Sequence, residues 1–99
     1  MATMKTKGDD MTIQKVRKPV YAVLTESDSY PYTPEVDIIG IGIANDGDDT
    51  VTVVINDGLS DITINCTTNN RNYDADFRAI KTINVTAGTE YQIELRSVL

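Results

Sequence analysis

The residue types that usually carry chemistry are scarce in this chain, and the first is missing: none of its 99 residues is a histidine. That removes the commonest general base, the commonest metal ligand, and any Ser-His-Asp or Cys-His arrangement. The single cysteine, Cys66, follows Ile62 and Ile64 on the apolar parity of its segment. It reads as a small buried hydrophobe, since a thiolate nucleophile needs a base and an electropositive pocket. Carboxylates are plentiful. Asp46, Asp48, Asp49 and Asp57 cluster beside glycines at turns. A glycosidase pair needs one acid in an apolar cleft, and wet turns do not provide that. Asn45-Asp46-Gly47-Asp48-Asp49 offers several hard oxygens, so Asp46, Asp48 and Asp49 are the residues that could hold calcium. The segment lacks the twelve-residue calcium pattern, and turn geometry alone explains Asp-Gly. The cluster Asn69, Asn70, Asn72, Asp74 and Asp76 has the same standing. No Gly-rich phosphate loop, zinc spacing or dinucleotide fingerprint occurs. The expectation is no catalytic residue, no cofactor and no resident metal.

Three tyrosines, Tyr30, Tyr32 and Tyr73, fall in segments read as loops. They could anchor a protein interface, stack on a sugar, or cap the ends of a core. Charge is distributed unevenly. Lys5, Lys7, Lys15, Arg17 and Lys18 face only Asp9 and Asp10 in residues 1–18, five minus two, or +3. Residues 19–99 carry four basic and thirteen acidic groups, or −9. A basic arm thus precedes an acidic body. Phosphate would be repelled by that body, so nucleic acid is not an expected partner. The asymmetry reads either as a solvated tail on a soluble surface or as an arm that lies on the acidic body of a neighbouring subunit.

The elements that must position these residues are strands. Ile39, Ile41 and Ile43 alternate with Gly40 and Gly42, and Val51, Val53 and Ile55 with Thr52 and Asn56. Ile62, Ile64 and Cys66 alternate with Thr63 and Asn65, Ile83 and Val85 with Asn84, and Tyr91, Ile93 and Leu95 with Gln92 and Glu94. Period two with many β-branched residues marks strands with one buried face. The pattern predicts strands over 36–44, 50–56, 59–66, 77–85 and 89–96. Pro19 makes the segment 11–24 an edge strand or two short strands, and 25–35 reads as a loop. A two-residue Asp57-Gly58 turn sets Val53 opposite Ile62 and Val51 opposite Ile64. An odd-length loop about Gly47 sets Ile41 opposite Val53. One about Gly88 sets Val85 opposite Tyr91. The result is a three-strand meander, a crossover through 67–76, and a closing hairpin. The fold class is all-β, a small antiparallel sandwich of jelly-roll or immunoglobulin-like kind with about six to eight strands. Residues 1–18 form the arm and 19–99 the single domain.

Hydrophobic residues at 40% and charged residues at 24% suit one soluble domain. No secretory leader or membrane span is legible, so synthesis and folding in a cytoplasm are expected, and the sequons at Asn65 and Asn84 are read as accidental.

The stretch from Val36 to Leu99 resembles small accessory proteins of tailed-phage virions. The likeness lies in Ile41–Gly47, Val51–Ile55, Asp61–Ile64, Phe77, and the Thr82–Tyr91 segment. It implies a capsid decoration or head–tail accessory subunit. Such a subunit forms homo-oligomers and binds other virion proteins, with no nucleic acid and no membrane. The resemblance carries over no binding residue; charge and aromatic character make Lys5, Lys7, Lys15, Arg17 and Lys18 of the arm, with Tyr30, Tyr32 and Tyr73, the interface candidates. The alternative is a β-sandwich that binds a glycan through loop tyrosines, with or without calcium.

Overall fold

The computed structural model describes residues 19–98. The arm, with Lys5, Lys7, Lys15, Arg17 and Lys18, lies outside them. Seven strands form two antiparallel sheets: β1 Val20–Thr25, β2 Ile38–Asn45, β3 Val51–Asn56, β4 Asp61–Cys66, β5 Asn72–Ile80, β6 Thr82–Ala87 and β7 Tyr91–Arg96. One sheet has the order β1-β7-β2-β5 and the other β4-β3-β6. Ile41, Ile43, Ile93 and Leu95 from the first meet Val51, Val53, Ile55, Ile64 and Ile83 from the second in one buried core. The all-β sandwich matches the period-two reading, and so does the inward parity from Ile41 onward. At the start of β2 the alternation is corrected, because the register shift between Ile38 and Gly40 turns Ile38 inward in place of Ile39.

The pairing does not. The expected meander of β2, β3 and β4 is corrected: β2 bonds β5 and β7, with Ile41 opposite Ala75 and Leu95 rather than Val53. The closing hairpin is corrected too. β6 bonds β3, placing Val85 opposite Val53, while β7 lies between β1 and β2. The strand expected over 77–85 is two strands that change sheets at Lys81. There the backbone N–H of Lys81 donates to the Asn56 carbonyl (2.7 Å) and its ammonium reaches Asp37 (2.6 Å). The crossover through 67–76 is real but shorter, because β5 already starts at Asn72. These errors share one cause. A residue pointing inward satisfies parity equally well opposite a strand of its own sheet or facing the other sheet across the core.

The β3–β4 turn is the one expected hairpin that forms, two residues out of the expected register. Val53 stands opposite Ile64 and Ile55 opposite Ile62, so the loop is the four residues Asp57–Ser60. Side chains build it. The Asn56 amide oxygen accepts from Gly58 N–H (2.7 Å), and Asp57 Oδ1 accepts from Leu59 (2.8 Å) and Ser60 (2.9 Å). Gly58 supplies the positive φ of 97°. The Ser60 and Leu59 N–H groups hold the Asp57 carboxyl below its ordinary pKa of 3.8. A depressed folded-state pKa gives stability present above the unfolded value and lost as pH falls through the folded one. Wild type should therefore exceed Asp57→Ala in urea midpoint at pH 6, and the gap should narrow below pH ~3.8. A gap unchanged down to pH 2 would show that the carboxylate form plays no part.

Candidate functional site

The outer face of the four-stranded sheet carries charged side chains from β5 and β7. On β2 the outward positions are Gly40, Gly42 and Ala44. Pairing flanks them on one side with Arg96, Glu94 and Gln92 of β7, and on the other with Asp76, Asp74 and Asn72 of β5. Small residues down the middle strand and long ones on both neighbours leave a trough. It is a shallow groove of about 350 Å³ whose walls include Val23, Asn72, Asp74, Gln92 and Glu94.

Arg96 explains the glycines. Its side chain, 17% exposed, crosses from β7 over β2 and its guanidinium donates to Asp74 Oδ1 at 3.0 Å. A Cβ at Gly42 would stand 3.3 Å from Arg96 Nη2 and 3.4 Å from Asp74 Oδ2. A larger side chain there displaces the ion pair. Arg96 Nε is buried without a hydrogen-bond partner, a desolvation cost that offsets part of what the pair contributes. The Arg96 side chain lies over Gly40 and Gly42 at one end of the trough, with Glu94, Asp74 and Asp76 beside it and Arg78 further along β5. These acids stand on an open sheet face with no apolar cleft about them. The arrangement suits electrostatic contact with a cationic chain.

The other singled-out residues are held in structural roles. Tyr30 donates its hydroxyl to the Thr25 carbonyl (2.7 Å), and its ring tilts against Tyr91 at 6.5 Å. Burial, then the Tyr91 hydroxyl, raises its pKa. Tyr32 exchanges backbone hydrogen bonds with Ile83 on β6 (2.7 and 2.9 Å), and burial followed by the Tyr21 hydroxyl raises its pKa. Tyr73 lies on β5, half-buried against the core, rather than in a loop. The three do not meet at one site.

Asp46, Asp48 and Asp49 lie in the β2–β3 connection, where a cation is already at work. The Arg71 guanidinium donates to the carbonyls of Asn45 (2.9 Å) and Gly47 (2.7 Å). Among the described residues no group of three or more acidic, cysteine or histidine side chains could hold a metal ion. Cys66 is buried and donates its thiol to the Arg71 carbonyl (3.1 Å), and burial pushes its pKa up. It is not poised as a thiolate.

One residue with a large role was not singled out from the sequence. Asn45, 1% exposed, donates from Nδ2 to the carbonyls of Asp49 (2.9 Å) and Cys66 (2.8 Å), and its Oδ1 accepts from Gly47 N–H (3.0 Å). It ties the end of β2 in one sheet to the end of β4 in the other. Its signal was available: an asparagine on the parity of Ile41 and Ile43, where the pattern calls for an apolar residue. No family model, no curated protein and no solved structure matches the chain.

Proposed function

We propose that this chain is a non-enzymatic structural subunit of a tailed-phage virion, a capsid decoration or head–tail accessory protein. It works by binding other virion proteins and copies of itself. The observation that carries the reading is the concentration of carboxylates, Asp74, Asp76 and Glu94, on one sheet face of a chain whose residues 1–18 have a net charge of +3. Opposite charges on two parts of one small chain favour contact between neighbouring subunits. The likeness of Val36–Leu99 to virion accessory proteins supports the same reading and suggests the particle as its setting. The tyrosines spend their rings on the core, so the glycan alternative gains no support from them.

Limited proteolysis tests it. Residues 1–18 should be cut by trypsin in the free chain at low concentration and protected in assembled particles. Raising salt to roughly 0.5 M should weaken binding of the chain to particles lacking it, because exposed charge contacts are screened. A chain lacking residues 1–18 should fail to bind them. Equal cleavage in free and assembled forms, or full binding by the truncated chain, overturns the role of the arm.

A further inference from the structure

A sheet edge exposes backbone donors and acceptors that can pair with another chain, and natural proteins block most such edges. Three of the four edges among the described strands carry a block. On β6, Tyr32 occupies the outward N–H and C=O of Ile83. On β1, Pro19 precedes the strand and the register shifts between Val20 and Ala22. On β5, the register against β2 shifts between Ile38 and Gly40, and Asp74, Asp76 and Arg78 stand exposed. The fourth edge is β4. It pairs with β3 through six uninterrupted positions, contains no proline, lysine or arginine, and has one charge, Asp61, at its start.

The phase of the ladder tells which groups point outward. Asp57 N–H donates to the Ser60 carbonyl, so that pair is hydrogen-bonded. Antiparallel pairs alternate. Hence Ile62, Ile64 and Cys66 turn their backbone groups to β3, while Asp61, Thr63 and Asn65 turn theirs away. The opposite edge agrees with this phase, since Ile83, opposite Ile55, turns outward to Tyr32.

From this geometry we infer that β4 is a self-association edge, joining two copies antiparallel about a two-fold axis at Thr63. In that register every outward group finds a partner. Thr63 faces Thr63 of the second copy, and Asp61 faces Asn65 in both directions. The single charge on the edge never meets itself. Ile62, 38% exposed although it lies on the inward parity, comes beside Ile64 of the second copy. Leu59, 94% exposed, precedes the paired stretch and lies at the same end. The result is one continuous six-stranded sheet across two subunits. The inference deepens the assembly reading by naming a self-contact, and it uses a surface separate from the acidic face.

The test uses the full chain. Amide exchange should be fast at Asp61, Thr63 and Asn65 in dilute solution and slow by about tenfold or more at high concentration, while Ile62 and Ile64 stay protected throughout. Thr63→Cys should form a disulfide-linked dimer on mild oxidation, because Cα atoms of a hydrogen-bonded antiparallel pair stand about 5.5 Å apart. Asn65→Cys, which faces Asp61, should not. Concentration-independent exchange at residues 61, 63 and 65 overturns the inference, as does cross-linking by Asn65→Cys but not by Thr63→Cys. A chain lacking residues 1–18 should keep the β4 dimer while losing particle binding, so failure of the edge and failure of the arm are read separately.

Discussion

Replacing Asn45 by alanine should destabilise the domain by about 3 kcal/mol, as measured by urea unfolding. The side chain makes three hydrogen bonds and is almost wholly buried. Its loss leaves the Gly47 N–H without its partner and the Cys66 carbonyl with only its ladder contact to Val51, in a site closed to water. A buried group without a partner costs about 1–3 kcal/mol. The Asp49 carbonyl belongs to an exposed residue and can turn to water, so it adds little. A domain of this size has about 4–12 kcal/mol in all at roughly 0.05–0.15 kcal/mol per residue. The substitution therefore removes a large fraction, and the melting temperature should fall by about 15 °C. A loss under about 1 kcal/mol would show that the two sheet ends hold together without this residue.

Ile93→Ala should cost about 3–4 kcal/mol, the cost of deleting a large side chain from a core that cannot collapse around the gap. Ile93 is fully buried on β7, opposite Leu24 on one side and Ile43 on the other. Ile62→Ala deletes the same atoms from the same inward parity on an edge strand. Its side chain is already partly in water, so the cost should stay below about 1 kcal/mol when measured on the dilute chain. Unfolding free energies of the two variants, compared side by side, check the ranking. Equal costs would mean that β4 is covered in the free chain and is not an open edge.

Much of the core was legible in the sequence because parity is a local property. Ile41, Ile43, Val51, Val53, Ile55, Ile64, Cys66, Ile83, Ile93 and Leu95 all point inward as their alternation predicts, and all are buried. Partners were less legible, because they depend on which sheet a strand joins. A short loop between two inward-facing strands can close a hairpin or step across the core, and both leave the alternation untouched. The difference at 45–49 lies in two long-range polar residues, Asn45 and Arg71, which fasten the step. β5 was hidden for another reason. Its inward residues over 72–76 are only Tyr73 and Ala75, half-buried at a sheet edge, so the period is faint. The trough was visible as Gly40 and Gly42, but their reason stands far along the chain in Asp74 and Arg96. The acidic bias of the body was readable, whereas the meeting of Asp74, Asp76 and Glu94 on one face required the β5-β2-β7 order.

That order bears on how the chain acquires its structure. Among the described strands β7 alone bonds β1, and it also bonds β2. A chain emerging from the ribosome therefore exposes Val20–Thr25 with no ladder to join until residues 91–96 follow it out. The β3–β4 hairpin can close early, since four residues connect its strands. The four-stranded sheet must wait, and contacts so distant in sequence form slowly. During that interval the apolar residues of β1 are unpaired, and β2 can pair with β5 alone. Chaperone capture and sensitivity to C-terminal truncation should therefore be strongest for this half of the molecule.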